Sequence, residues 1–204
     1  MRIDIALFDG VDELDAVGPY EVLASAAGNL DGWHVRLVAL PGRQASATGA
    51  HGLALAAHGR AGEACDVLVV PGGGWGRPEG PGVRAELRDG TLAALAARAH
   101  GEGAVVASVC TGAMLLAAAG LLAGRPATTH ASARDDLSAA GARLVDARVV
   151  DDGDVITAAG VTSGIDLALW LVERWAGAAV AERGARRLEY VRADVARTGR
   201  GGRS

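Results

Sequence analysis

Cys110 carries the strongest chemical signal in this 204-residue chain. It stands in Val109-Cys110-Thr111-Gly112-Ala113, between apolar runs at 104–108 and 114–119. That order spells strand, sharp corner and helix. A thiol on such a corner meets unpaired backbone N–H groups and the positive end of the helix dipole, both of which favour the thiolate. A free thiol has a pKa near ~8.5, and sites of this kind bring it to about 4–7. A reactive thiolate at neutral pH is therefore expected. The alternative is a buried cysteine packed as a small apolar residue.

Asp15 is the acid best placed to act on that thiol. It is flanked by Leu14, Ala16 and Val17 and precedes Gly18-Pro19. A carboxyl among apolar neighbours tends to keep its proton. A charged carboxylate beside Cys110 would raise the thiol pKa, whereas a protonated one would donate to the sulfur and serve as general acid. The competing role is a surface helix cap. Asp12 and Glu13 are expected to be solvated.

A glycine loop, Pro71-Gly72-Gly73-Gly74-Trp75-Gly76, follows an apolar strand. It lacks the dinucleotide pattern, so its use would be geometric. Backbone N–H groups of Gly73 or Gly74, with those near Thr111, can face developing negative charge; an ordinary strand-to-helix turn is the alternative. His130 follows Thr128-Thr129 and can reach the same crevice, as a Cys–His partner or as a structural histidine. His34, His51, His58 and His100 make no metal spacing with it. Cys65 precedes a buried strand and reads as inert. Asp166, near a helix start, offsets the dipole.

The elements that must position these groups alternate. Apolar β-branched runs at 3–8, 34–40, 67–70 and 104–108 read as buried parallel strands. Helical spacing covers 20–27 with Pro19 at its start, 83–100, 111–122, 132–140 with a Ser132 cap, 162–175 and 178–190. A short strand is expected at 127–129. Segments 144–150 and 155–158, joined by Asp151-Asp152-Gly153-Asp154, read as a β-hairpin. The sum is one α/β domain over residues 1–192, a mostly parallel sheet with helices on both faces, and an Arg/Gly-rich disordered tail at 193–204. In such sheets ligands bind beyond the carboxyl ends of the strands, where the Asp15, Gly73 and Cys110 segments all emerge.

Composition narrows the function classes. A net charge of −4 gives no electrostatic case for nucleic acid or an anionic membrane. All 20 basic residues are Arg, which excludes Schiff-base and P-loop lysine chemistry. Two cysteines far apart fit a reducing cytoplasm. No apolar run is long enough for a membrane span, and the amino-terminal run is a first strand, not a signal peptide.

Several segments together resemble the DJ-1/PfpI superfamily. They are Cys110-Thr111-Gly112-Ala113 continuing through Gly124-Arg125, then Ala127-Thr128-Thr129-His130; also Asp15-Ala16-Val17-Gly18-Pro19-Tyr20-Glu21, Pro71-Gly72-Gly73 and Gly160-Val161-Thr162-Ser163-Gly164-Ile165-Asp166. The likeness runs from about residue 3 to 190 and is greatest to the isonitrile hydratase branch and to the sensor domain of certain AraC-type regulators. It implies a flavodoxin-like fold, a homodimer, a nucleophilic Cys110 at an elbow and Asp15 as the acid contacting it. The implied reaction hydrates an isonitrile to an N-substituted formamide through a thioimidate, with Thr111 helping to hold substrate or water. It implies no metal or organic cofactor. The branch commonly carries Trp where this chain has Ala131, and Trp75 is the candidate to fill that space. The regulators carry a helix-turn-helix after this domain; here only a short tail follows Tyr190, so no nucleic-acid partner is expected. The alternatives are a glyoxalase- or deglycase-like enzyme leaning on His130, and a sensor whose Cys110 oxidises to a sulfinic acid.

Overall fold

The computed structural model describes residues 1–198. The chain runs β1 Arg2–Leu7, α1 Glu13–Ala27, β2 His34–Ala39, β3 Ser46–Thr48, β4 Ala54–Ala56, β5 Gly59–Arg60 and β6 Val67–Val70. It continues with α2 Val83–Asp89, α3 Thr91–Gly101, β7 Val105–Ser108, a 3-10 turn at Cys110–Gly112, and α4 Ala113–Ala118. Then come β8 Pro126–Ala127, a 3-10 turn at Ala131–Ala133, α5 Arg134–Ala139, β9 Arg143–Leu144, β10 Val149–Asp151 and β11 Val155–Ala158. It closes with α6 Ser163–Ala176, α7 Ala178–Arg187 and β12 Val195–Arg197.

The main sheet has the order β12-β10-β11-β7-β6-β1-β2-β5, parallel throughout except for the β10–β11 hairpin. Its middle strands are largely apolar because helices cover both faces: β6 hides Val67 to Val70, and β1 hides Ile3 and Ile5, while its buried Asp4 is paired with Arg36. The connection from β1 to β2 steps one way across the sheet and that from β6 to β7 the other. Right-handed crossovers therefore put α1 on one face and α3 on the opposite one. α6 and α7 pack with α1, and α2 and α4 pack with α3. This is the flavodoxin-like α/β fold expected.

The differences from expectation have local causes. α1 starts at Glu13, so Asp15 lies in its first turn and Pro19 lies inside the helix. Asp12 supplies the cap, its Oδ1 accepting the Leu14 N–H at 3.2 Å, and the cap outweighs the start signal of Pro19. The helix expected at 83–100 is two, broken at Gly90, whose φ of +80° is left-handed. The strand at 127–129 is only Pro126–Ala127, paired with β9 in a separate two-stranded sheet. The turn at 131–133 is capped by the His130 side chain, not by Ser132. The hairpin of β3 and β4 escapes pattern reading because its three-residue strands are short and Ala-rich.

The domain does not stop at residue 192. β12 pairs in parallel with β10, Val149 opposite Val195, so residues 195–197 are sheet and not a disordered tail. Thr198 Oγ1 adds a 2.7 Å bond to Asp152. The rest of the expected tail, 199–204, lies outside the described residues.

Candidate active site

The corner that lifts the thiol is built by backbone fit. Cys110 has φ +58°, a left-handed conformation that costs an ordinary residue about 1–2 kcal/mol. Its N–H donates to the Ala159 carbonyl at 2.9 Å, and its carbonyl accepts the Thr129 hydroxyl at 2.8 Å. The surrounding strand ends thus hold the strained residue in place. Two glycines make the close approach possible. A Cβ on Gly112 would collide with the Val70 carbonyl oxygen, and one on Gly72 would lie 2.6 Å from Thr111 Oγ1.

Asp15 reaches this corner from the first turn of α1 and is completely buried. Its Oδ2 accepts the Gly72 N–H at 3.0 Å. Oδ1 has no hydrogen-bond partner among the described residues within ordinary reach. The Cys110 thiol interacts with the same carboxyl. Burial, and then the charge of Asp12, push Asp15 up to about 8; the Gly72 N–H and the thiol only partly offset them. Asp15 therefore carries a proton at neutral pH.

The thiol state differs from expectation. Burial, and then the Asp15 charge, push the Cys110 thiol well above its ordinary value, and the Thr111 N–H only partly opposes them. The corner leads into a 3-10 turn and a helix of six residues, a weak dipole, while the cysteine is buried. Desolvation wins over the helix terminus. The resting pair is a thiol beside a carboxylic acid, and a thiolate forms only as a proton moves.

The other expected groups divide. Thr111 is buried at the corner, and its Oγ1 accepts the Gly73 N–H at 3.1 Å, tying the glycine loop to the thiol. That bond occupies the Gly73 N–H. Gly74, with φ +68°, packs on the Pro81 carbonyl. The His130 N–H approaches the Cys110 carbonyl at 3.4 Å, but its ring serves the next turn. Nδ1 accepts the Ser132 N–H at 3.2 Å and contacts Ser132 Oγ at 2.8 Å. Nδ1 is thus an acceptor, and a neutral ring keeps its proton on Nε2. Trp75 is buried under Arg84, whose guanidinium carbon stands 3.8 Å from the ring centre, whereas Ala131 is exposed. Burial raises the Cys65 thiol to about 11, in keeping with an inert side chain.

Two acids do more than their sequence context signalled. Glu13 is not a free surface group: it binds the tip of the β3–β4 hairpin. Asp166 is a buried hub. Its Oδ2 accepts Arg148 Nε at 2.7 Å and the Tyr190 hydroxyl at 2.9 Å, and Oδ1 accepts the Ala193 N–H at 2.9 Å. The available sequence signal was Asp166 following Gly164-Ile165 at a helix start, with Arg148 and Tyr190 too distant to pair by pattern.

With this geometry in view, the profile of the DJ-1/PfpI family matches residues 1–174. The chain belongs to the DJ-1/PfpI family. It is similar to the isonitrile hydratase of Pseudomonas putida, with 39% identity over 196 residues, 93% of this chain and 78% of that protein. A deglycase of Pyrococcus abyssi shares 32% over 161 residues, 77% of this chain and 89% of that one. Among solved structures, a ThiJ/PfpI family protein from Pseudomonas syringae superposes with a TM-score of 0.79 at 32% identity, covering 93% of this chain and 74% of that one. Family membership thus rests on most of the chain, while named activities diverge among its relatives. No helix among the described residues is long and apolar enough to cross a membrane.

Proposed function

We propose that the protein hydrates isonitriles to N-substituted formamides, with Cys110 as nucleophile and Asp15 as proton carrier. The observation that supports this most is Asp15 itself: a fully buried carboxyl, protonated to about pH 8, beside a thiol. The terminal carbon of an isonitrile bears a lone pair and must gain both a proton and a nucleophile. A dyad holding two protons at neutral pH suits that need.

In the first step Asp15 delivers its proton to the terminal carbon while Cys110 Sγ bonds to it. The thiol proton passes to Asp15 and restores the acid. R–N≡C and Cys110–SH thus become the thioimidate R–N=CH–S–Cys110. Water then adds to the thioimidate carbon, and one of its protons goes to nitrogen. Collapse of the resulting hydroxyl expels Sγ, which recovers the remaining proton through Asp15. The formamide R–NH–CHO leaves, and the dyad is as it began. Thr111 accepts from Gly73 and keeps its hydroxyl proton to donate to substrate or water. The scheme needs no metal or organic cofactor.

The carbonyl alternative would lean on His130, whose Nδ1 is committed to Ser132; this favours isonitrile chemistry. In this reading the protein works as a cytoplasmic homodimer, and sedimentation equilibrium tests the dimer. The deciding experiment assays isonitriles and 2-oxoaldehydes against wild type and Cys110→Ala. Formamide formed by the wild type and lost in the variant is expected. Cys110-dependent turnover of oxoaldehydes alone would overturn the assignment.

A further inference from the structure

The β3–β4 hairpin stands apart from the main sheet, yet it is fastened to the segment that delivers Asp15. The Thr48 N–H donates to Asp9 Oδ1 at 2.9 Å. The Gly10 N–H donates to the Thr48 carbonyl and the Ala50 N–H to the Val11 carbonyl, each at 2.8 Å. Glu13 completes the grip from the first turn of α1. Its Oε1 accepts the His51 N–H at 2.8 Å and the Leu53 N–H at 3.4 Å, and its Oε2 meets His51 Nδ1 at 2.7 Å. A Cβ on Gly49 would overlap this carboxylate.

We propose that Glu13 is a positioning residue of the site: by gripping the hairpin tip it fixes the first turn of α1, and with it the depth at which the Asp15 carboxyl meets Cys110. Asp15 has one backbone donor, from Gly72, and an oxygen with none, so its own bonds hold it weakly. The turn that carries it must be held from outside. Asp12 does part of this, capping the helix and donating its own N–H to the Gly72 carbonyl at 2.9 Å. Glu13 does the rest, two residues from Asp15.

The titratable group facing Glu13 is His51 at the hairpin tip; His51 in turn lies near Asp12 and Arg77, whose Nη1 approaches the Ala50 carbonyl at 3.5 Å. The burial of the Glu13 carboxyl is opposed by the His51 ring and by the His51 and Leu53 N–H groups, which hold it down at about 2. The Glu13 carboxylate, with its two backbone N–H bonds, therefore stays charged across the pH range in which the Asp15–Cys110 pair titrates.

The inference rests on the Cys110–Asp15 pair being the reacting centre, but not on which substrate it takes. Its test accordingly uses a substrate-free probe. The rate of Cys110 carboxamidomethylation by iodoacetamide is followed against pH by peptide mass spectrometry in a Cys65→Ser background. Alkylation proceeds as the Asp15 carboxylate takes the thiol proton, so wild type is expected to show its inflection near the pH at which Asp15 ionises, about 8. In Glu13→Ala the turn loosens, water reaches the carboxyl, and the inflection moves down by about one pH unit. Glu13→Gln keeps an acceptor for both backbone N–H groups and stays near wild type. His51→Ala removes only an exposed ring contact and gives a smaller downward move. Gly49→Ala, which displaces the carboxylate, reproduces the Glu13→Ala shift. An unmoved inflection in Glu13→Ala and Gly49→Ala would overturn the proposal, whatever their melting temperatures. If Glu13→Ala and Gly49→Ala do not fold, His51→Ala decides: an inflection equal to wild type overturns it. Failure of every isonitrile to turn over would remove the proposed reaction and leave this result standing.

Discussion

Two buried aspartates sit in the first turns of two helices that pack on each other, and they do opposite work. Asp166 opens α6 and is saturated, with a guanidinium, a phenol and a backbone N–H on its two oxygens. Asp15 opens α1 with one backbone donor and one oxygen lacking a partner. Residue type, burial and helix position are shared; the supply of donors differs. A carboxylate given three donors becomes a rivet that joins β10's approach, α6 and the carboxyl-terminal segment. A carboxyl given one keeps its proton and stays available for chemistry.

The two aspartates should differ most in their effect on activity. Cys110→Ala should lower formamide production by at least ~10³-fold, and Asp15→Asn by about 10²–10⁴-fold. Asp166→Asn should leave the chemical step within about threefold at a temperature where it is folded. Steady-state assays with an isonitrile panel check all three, and comparable losses at Asp15 and Asp166 would erase the distinction.

Stability should run the other way. Asp166→Asn leaves Arg148 without its buried partner and should cost about 2–3 kcal/mol in urea unfolding, toward the low side because Arg148 is itself partly exposed. Asp15→Asn replaces a neutral acid by a neutral amide and should stay within about 1 kcal/mol at pH 7.

The pH dependence sharpens the same contrast. Asp15 holds its proton to about 8 in the folded protein, but an unfolded Asp releases it near ~4. Between those values the folded state binds more protons, so stability falls as pH rises and levels off above about 8. Asp15→Asn should flatten that slope. Glu13 and Asp154, both held down at about 2, act with the opposite sign. Their contribution is present above the ordinary carboxylate range and is lost as pH falls toward 2. Chemical denaturation at a series of pH values reads both arms.

The smallest effect is expected at His130. Its ring caps a turn, so His130→Ala should reduce isonitrile turnover less than about tenfold and lower stability by about 1 kcal/mol. A loss matching that of Cys110→Ala would move His130 into the chemistry.

What pattern reading reached, and what it did not, follows the range of the forces involved. The strands of β1, β6 and β7 were legible because a doubly covered parallel strand is largely apolar. The meeting of Asp15, Thr111, Gly73 and Cys110 was legible because parallel strands send their exits to one edge. The beginning of α1 was misplaced because Pro19 is a loud local signal and Asp12 a quiet one. β12 was missed because the three residues Val195-Ala196-Arg197 are too short a run to announce a strand; only its pairing with β10 makes it one. The state of the sulfur was missed for a different reason. A helix terminus can be read from order along the chain, but the water lost around Cys110 depends on walls contributed by segments far away in sequence.

That buried, acid-faced thiol has a consequence for how such proteins are found. Surveys that profile cysteines across a cell extract tag those that react fastest with small electrophiles at physiological pH. Cys110, kept protonated at physiological pH, would rank among the silent residues in such a survey, even as the proposed nucleophile.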